Sequence, residues 1–355
     1  MGNKITIETI KEIVEYGTHA PSGDNSQPWS FRFLNETLYI YVLPEKDTSM
    51  YNFEQQASLV AIGAMLENIK ISSSHFGYDC LIVFNESLSD NLVAQASFIF
   101  SDIKENEFFK WIKERKTNRK PYKTEKIPEF VINEFKKQEK DFISVGLRMV
   151  SDLKLITDIS LACSFNEKIV LEDKRLHDFL FNHITWNKQE DDIKKGFFLD
   201  TLELDGPKKI AFKILKNWRL NNFLNIFGIS KLVASDNQRV YEQSALIIGF
   251  TSKNNKNFNF IETGMLMQRI WLTLTKYGLF AQPLTGITLL KNRIIKEGSD
   301  VSLSEKHTSI VNESYNTIVK NLSVVDEFVT VLLRVGFAEP PSASTQRSSV
   351  VIVVE

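Results

Sequence analysis

Several features that would identify a protein class at once are scarce or missing in this chain of 355 residues. Its two cysteines, Cys80 and Cys163, are too few for a disulfide framework. Its 43 basic and 44 acidic residues leave a net charge of −1, which excludes the broad positive field of a nucleic-acid-binding protein. No apolar run approaches the roughly 20 residues that cross a bilayer. We therefore expect a globular, cytoplasmic protein with no nucleic-acid or membrane partner.

Sequence motifs for several common cofactors are also missing. The pattern Gly-x-Gly-x-x-Gly does not occur, so a nucleotide-binding Rossmann unit has no support. The five histidines show no metal-ligand spacing with cysteines or carboxylates, except that Asp173 and His177 lie one helical turn apart. We therefore predict no metal site in this protein.

The sequence does contain a similar order of helices and strands in each of its halves. Apolar periodicity and capping residues predict long helices over residues 57–76, 129–140, 151–172 and 261–277. Runs rich in β-branched and aromatic residues predict strands over residues 38–43, 80–84, 96–100, 145–150, 245–250, 329–335 and 350–354. The two halves therefore predict related mixtures of helix and strand.

An internal repeat supports this reading. The first long helix contains Gly63 and ends at Gly77, and a later helix contains Gly264 and ends at Gly278, with the same offset of 201 residues in both cases. Because a glycine inside a helix costs about 1 kcal/mol relative to alanine, its recurrence favours a close backbone contact. The alternative is a coincidence between two amphipathic helices that each end at a glycine cap.

The segment over residues 21–29 is the first of four candidate site motifs. Prolines at both ends restrict the chain, and Pro21, Ser22, Gly23, Asn25 and Gln27 place neutral hydrogen-bonding groups close together. Such a loop suits recognition of a flat heterocycle with carbonyl and ring-nitrogen edges. The alternative is a rigid turn between a helix and a strand, whose polar side chains bond to their own backbone.

The second motif is a cluster of positive charge over residues 114–122. Arg115 and Arg119 could present two planar guanidinium groups to one phosphate, with the Thr117 hydroxyl and the Asn118 amide nearby. A solvated charged face is the alternative.

The third and fourth motifs lie in the second half. Pro283, Leu284, Thr285 and Gly286 form a predicted tight turn whose backbone amides could approach a ring system. The alternative is a simple connection from the preceding helix to a loop. Arg347 ends a loop over residues 340–347 and is either a third phosphate ligand or a surface arginine.

Taken together, the four motifs resemble the FMN site of the nitroreductase (flavin reductase) family. The order of the motifs resembles that of the duplicated, single-chain Acg-like branch, because the proline–serine–asparagine loop precedes the arginine motif. This resemblance implies an α+β fold of two tandem antiparallel-sheet halves, flanked by helices and packed as a pseudo-dimer within one chain. We place the first half at residues 1–110 and the second at 111–355.

The resemblance also implies roles for the residues of the four motifs. Arg115, Arg119 and Arg347 would hold the FMN phosphate, with Thr117 near the ribityl chain or ring edge. Pro21, Ser22, Gly23 and Asn25 would line the isoalloxazine, and the segment 283–286 would cover its N5 side. Ordinary family members often have a glutamate where Thr285 stands, so the chain departs from the family pattern at the ring edge. No catalytic side chain is expected, because the flavin itself carries the hydride.

Two activities remain open from the sequence. The first is an oxidoreductase that passes a hydride from NAD(P)H through flavin N5 to a nitroaromatic, a quinone or a similar small acceptor. The second is an FMN store in which residues 175–239 form a lid that blocks the nicotinamide donor. A third reading omits flavin and keeps a structural pseudo-dimer. The chain is expected to be a monomer with an internal pseudo-dimer, or a weak homodimer.

The segment 175–239 contains unusually many large aromatic residues for a connecting segment. Its large aromatic residues include Phe179, Phe181, Trp186, Phe197, Phe198, Trp218, Phe223 and Phe227. They predict either a lid over the flavin or an extra helical layer on the back of the sheet. Lys208, Lys209, Lys213 and Lys216 line one helical face near Trp218, which we interpret as solvated rather than membrane-bound.

Overall fold

The computed structural model describes residues 4–101, 105–298, 300 and 302–354. The strands within these residues are, in chain order, β1 Trp29–Leu34, β2 Thr37–Val42, β3 Tyr78–Phe84, β4 Leu92–Phe100, β5 Val145–Val150, β6 Ile184–Thr185, β7 Phe197–Phe198, β8 Leu246–Ser252, β9 Phe280–Pro283, β10 Phe328–Gly336 and β11 Ile352–Val354. The α-helices are α1 Ile7–Thr18, α2 Gln56–His75, α3 Glu129–Glu139, α4 Leu153–Glu172, α5 Lys174–His183, α6 Lys188–Lys194, α7 Gly206–Leu215, α8 Trp218–Ile226, α9 Ile229–Tyr241, α10 Asn257–Lys276, α11 Gly286–Glu297 and α12 Glu305–Asn321.

The first sheet has the strand order β11-β1-β2-β4-β3. Along β2, Leu38, Ile40 and Val42 are buried while the residues between them are only partly covered, as expected for a sheet with one face on the core. Neighbouring strands of this sheet are antiparallel, except that the edge strand β11 runs parallel to β1. The C-terminal strand therefore lies in the sheet of the first half, a crossing that the sequence pattern did not predict.

The second sheet has the order β5-β8-β10-β9, and all its neighbouring strands are antiparallel. All seven residues of β8 are buried. This follows from helices on both faces: Ile248 and Phe250 belong to the core that contains α2 and α10, whereas Ile247 belongs to the core that contains α4 and α12. A continuous apolar run is the pattern expected of such a doubly covered strand.

The two halves share one topology. The order β1-β2-β4-β3 of the first half matches β5-β8-β10-β9 of the second, and the long helix follows the second of these strands in both. A further helix, α1 or α3, precedes the first strand in each half. The prediction of an α+β fold with two antiparallel-sheet halves, flanked by helices and packed as a pseudo-dimer, is confirmed, with the parallel β11 as an addition.

The helices α2 and α10 pack against each other through the repeated glycines. A Cβ on Gly63 would lie 1.9 Å from the carbonyl oxygen of Ile261, and a Cβ on Gly264 would lie 2.0 Å from that of Val60. The two contacts are reciprocal at the repeat offset, as in an isologous interface. The predicted close backbone contact is therefore confirmed, and no residue larger than glycine fits at either position.

The segment 175–239 is mostly helical and forms a layer of its own. It contains α5 to α9 and a short parallel pair, β6 with β7. Phe181, Ile184, Phe197 and Leu215 form a separate apolar cluster with Leu171 of α4, so this layer has its own small core. No helix in the described part of the chain is both long and apolar enough to cross a bilayer.

Candidate functional site

The loop after α1 has an unusual backbone. Asp24, Asn25 and Gln27 have φ angles of 46°, 58° and 49°, in the left-handed region that non-glycine residues rarely adopt. The turn is stabilised locally, because the Gln27 backbone N–H donates to the Ser22 hydroxyl oxygen at 3.1 Å. The self-bonded turn considered from the sequence is therefore present, and it holds a strained backbone of the kind that often occurs at functional sites.

The C-terminal loop binds to this turn. Arg347 Nη1 donates to Asn25 Oδ1 at 2.6 Å, and its Nη2 donates to the Ala20 carbonyl at 3.1 Å. Gln27 Oε1 accepts a hydrogen bond from the Ser348 backbone N–H at 2.9 Å. Residues from opposite ends of the chain thus meet at one place, as the motif hypothesis requires.

Arg115 reaches the same loop. Its Nη2 donates to the His19 carbonyl oxygen at 2.9 Å, and Arg347 Nη2 donates to that same oxygen at 3.4 Å. The Arg115 side chain stacks over the Trp271 ring at 4.5 Å and is only 5% exposed. The two guanidinium groups are therefore neighbours, with Arg115 buried and Arg347 partly exposed.

The two arginines lack a counter-charge. Neither Arg115 nor Arg347 forms an ion pair with any residue in the described ranges. Three of their buried N–H donors, Arg115 Nε, Arg115 Nη1 and Arg347 Nε, have no hydrogen-bond partner. Burial, together with the charge of Arg347, lowers the pKa of Arg115 to about 9, and burial lowers the pKa of Arg347 to about 10. Unpaired buried charge is costly, so this arrangement fits an anion with several acceptor oxygens.

The rest of the arginine motif lies along the second sheet. Thr117 forms a parallel bridge with Ala281 of β9, and the Asn118 backbone N–H donates to the Ala281 carbonyl at 3.2 Å. The Asn118 side chain donates to the Glu339 carbonyl at 2.8 Å, so it fixes the start of the C-terminal loop. Arg119 Nη1 donates to the Thr201 carbonyl at 3.1 Å.

A cavity of about 680 Å³ lies between these segments, a size typical of small-molecule sites. Nine of the fourteen residues proposed from the sequence line it: Pro21, Ser22, Gly23, Thr117, Arg119, Pro283, Leu284, Thr285 and Gly286. The other five, Asn25, Gln27, Arg115, Asn118 and Arg347, do not line it and make the loop contacts described above. The structure thus brings all four motifs together, in a cavity and an adjoining arginine pair.

The segment 283–286 differs from its prediction. It is a junction where β9 ends at Pro283 and α11 begins at Gly286, not a tight turn. A Cβ on Gly286 would lie 2.0 Å from Asn166 Oδ1, so α4 approaches this junction closely. A Cβ at this position would therefore force the Asn166 side chain to move.

Sequence reasoning missed a group of polar residues in the cavity. Glu167 lines it, accepts a hydrogen bond from Tyr241 at 3.0 Å and has a second carboxylate oxygen with no partner. Burial raises the pKa of Glu167 to about 7. Burial and the neighbouring Asp47 raise the pKa of Asp24, another lining residue, to about 6. Glu167 lies on a long helix with no local motif, so no signal in the sequence marked it.

The helical layer also contributes to the cavity. Its lining residues include Phe179, Leu180, Phe197, Leu202, Phe212, Leu215 and Val233. Asn25 Nδ2 donates to the Lys195 carbonyl, and Arg119 stacks over the Phe197 ring at 4.9 Å. The layer therefore contacts two of the motifs as well as lining the cavity.

No family model matches the chain. It is 24% identical over 293 residues to uncharacterized protein MT1398 of Mycobacterium tuberculosis, an alignment with 79% of this chain. The chain spans 39% of the length of that curated relative.

Similar solved structures include an iodotyrosine deiodinase bound to FMN and 3-iodo-L-tyrosine, at 15% identity and a TM-score of 0.38, with 69% of this chain and 96% of that one covered. A nitroreductase of Bacteroides fragilis with bound FMN is 11% identical, with a TM-score of 0.37 and coverage of 69% and 95%. The FMN-dependent nitroreductase NfnB of Mycobacterium smegmatis in complex with NADPH is 12% identical, with a TM-score of 0.33 and coverage of 65% and 86%. The chain is thus similar to FMN-dependent nitroreductases, the family that its four motifs resemble.

Proposed function

We propose that the protein binds FMN, with its phosphate on Arg115 and Arg347 and its ring in the adjoining cavity. The observation that carries this proposal is the pair of neighbouring guanidinium groups beside the motif loop, whose three buried N–H donors have no partner among the described residues. A phosphate monoester carries about −1.5 to −2 charges at pH 7 and offers three acceptor oxygens. It would therefore supply both the missing charge and the missing hydrogen bonds.

The remaining motif residues would hold the ring and the ribityl chain. Pro21, Ser22 and Gly23 contribute one wall of the cavity, and the segment 283–286 contributes another. Thr117 and Arg119 bring polar groups to the same space. When bound, FMN supplies the hydride chemistry that the chain's own side chains lack. We propose an NAD(P)H-dependent oxidoreductase whose acceptor is a nitroaromatic, a quinone or a similar small molecule.

Glu167 would serve this activity as a proton donor. Its carboxyl group lines the cavity, is oriented by the Tyr241 hydroxyl and keeps one oxygen free. Because burial raises its pKa to about 7, the group is partly protonated at neutral pH. A reduced acceptor gains a proton as well as a hydride, and Glu167 can hold that proton at the place where it is needed.

An FMN store is the second candidate function. It is favoured by the helical layer, in which Phe179, Phe197 and Phe212 line the cavity and Thr201 accepts a hydrogen bond from Arg119. In this proposal residues 175–239 form a lid that keeps a nicotinamide donor from the ring. We further propose that the halves, residues 1–110 and 111–355, arose by tandem duplication and make a partner chain unnecessary.

One experiment separates the two functions. The purified protein, incubated with FMN and desalted, should keep a yellow flavin spectrum. Anaerobic addition of NADH or NADPH should bleach that spectrum within seconds if the protein is an oxidoreductase, whereas a store should stay oxidised. The double variant Arg115→Ala, Arg347→Ala should fold and stay colourless, and Lys116→Ala, which removes an exposed charge beside Arg115, should stay yellow. Full FMN retention by the double variant would refute the phosphate assignment.

A further inference from the structure

Exposed apolar side chains are concentrated in one part of the helical layer. Seven large apolar residues between 206 and 232 are between 47% and 77% exposed: Ile210, Ile214, Leu220, Phe223, Ile226, Phe227 and Leu232. They lie on α7, α8, the turn after α8 and the start of α9. Scattered exposed apolar residues are ordinary, but a concentration of this kind marks an interaction surface.

The helix α8 shows how this surface faces outward. Its Asn221 is fully buried and donates to the Leu171 carbonyl at 2.8 Å, which fixes one side of the helix on the protein body. Leu220, Phe223 and Phe227 occupy the other side, and the Phe223 and Phe227 rings lie 5.4 Å apart. On α7, the exposed Ile210 and Ile214 are one helical turn apart. We refer to these exposed residues of 206–232 as the apolar face.

The charged residues within segment 206–232 all have one sign. Residues 206–232 contain six lysines and arginines and no acidic residue, in a chain whose net charge is −1. Lys208 and Lys209 pair with Asp236 and Asp200 elsewhere in the layer. The other cations of the segment, Lys213, Lys216, Arg219 and Lys231, form no ion pair within the described residues. The face therefore offers apolar side chains together with unpaired positive charge.

We propose that the apolar face docks onto an anionic phospholipid bilayer and lies in its headgroup region. Apolar and aromatic residues flanked by lysine and arginine are the composition of helices that bind in the plane of such membranes. A second copy of the chain fits less well, because a two-fold contact would place two uniformly positive segments against each other. This docking requires no helix that crosses the bilayer, but it revises two expectations from the sequence, that of no membrane partner and that of a solvated lysine face near Trp218.

The location of the face gives the docking a consequence. The helix α7 carries Ile210 and Ile214 outward, while its Lys208, Phe212 and Leu215 line the cavity. Docking would therefore bring the cavity close to the membrane surface. The docking itself does not depend on FMN.

Vesicle flotation tests the proposal directly. The purified protein should float with vesicles of mixed phosphatidylcholine and phosphatidylglycerol, and should remain at the bottom with phosphatidylcholine alone. The double variant Lys213→Gln, Arg219→Gln should lower the partition constant about thirtyfold, from about 1 kcal/mol per charge. Phe223→Ser with Phe227→Ser should lower it at least about tenfold through lost apolar burial.

Matched controls use residues away from the face. Ile143→Ser removes an apolar side chain that is 90% exposed, and Lys126→Gln with Lys136→Gln removes two exposed charges; both should leave flotation unchanged. The proposal is overturned if no vesicle binds the protein, or if the controls weaken flotation as much as the face variants. It is also overturned if light scattering shows a dimer that Phe223→Ser dissociates, because a second copy would then occupy the face.

Discussion

Replacing Arg115 by methionine should make the empty protein more stable while weakening its hold on FMN. Arg115 is 5% exposed, donates one hydrogen bond to the His19 carbonyl and leaves its Nε and Nη1 donors unpartnered. Methionine can keep the apolar contact with the Trp271 ring and removes the charge. The two effects have opposite signs, so together they separate a ligand-binding arginine from a structural one.

The sizes of both effects follow from the site. Burial and Arg347 lower the pKa of Arg115 from its ordinary value to about 9, and each pKa unit corresponds to about 1.4 kcal/mol. Confining the charge in the empty site therefore costs on the order of 5 kcal/mol. Loss of the bond to His19 and of the cation–π part of the contact with Trp271 offsets part of this gain, so we expect a net stabilisation of about 1–3 kcal/mol. In the complex, two charge-assisted bonds to phosphate contribute roughly 1.5–3 kcal/mol each.

The assay is paired. Urea denaturation of the FMN-free protein measures the free energy of unfolding, and fluorescence quenching of FMN measures affinity. Arg115→Met should unfold at higher urea concentration and bind FMN at least about a hundredfold more weakly, from the bonds counted above. Lys116→Ala, an exposed neighbour of the same charge, should change neither value. Unchanged FMN affinity, or a large loss of stability in the empty variant, would refute the anion-site reasoning.

Three other predictions follow from single contacts. Glu167→Gln should equal the wild type in free energy of unfolding below pH about 4.5 and exceed it by up to about 3 kcal/mol above pH about 7. The reason is that the raised pKa makes the folded carboxyl costly to ionise as pH rises. Urea denaturation at several pH values tests this. Gly63→Ala should lower the free energy of unfolding by about 3 kcal/mol or more, because its Cβ would meet the Ile261 carbonyl at 1.9 Å, whereas Gly206→Ala, with no atom within 4 Å, should change it by less than about 1 kcal/mol. Gly286→Ala should weaken FMN binding in titration, because it displaces the side chain of Asn166, which lines the cavity.

The fold could be predicted wherever a local pattern reports burial. The two long helices and the strands around them follow from apolar periodicity, and the glycine offset correctly predicted a close backbone contact between Gly63, Gly264 and the opposing helix. The parallel pairing of β11 with β1 could not be predicted. The three residues of β11 do not indicate a partner strand that lies more than 300 residues away in the chain. Register across such a distance depends on how the halves pack.

The candidate site was likewise predictable only in part. Turn residues and charge clusters revealed the four motifs, because proline, glycine and clustered arginine can be recognised from the local sequence. Glu167 and Asp24 could not be recognised, because their unusual pKa values come from burial by residues far away in the chain. Polar groups whose pKa values are shifted by tertiary burial cannot be recognised from a single sequence.

The glycine contact and the cavity are parts of one structural element. Val60, whose carbonyl touches Gly264, also lines the cavity, as does Met267 one helical turn beyond Gly264. The distance between α2 and α10 therefore sets both the packing of the two halves and the floor of the site. Because the loop at residues 21–27 belongs to one half and the arginine motif to the other, a wider helix pair would separate them. Neither glycine lines the cavity, so we expect them to affect the proposed FMN binding only through the spacing of the halves.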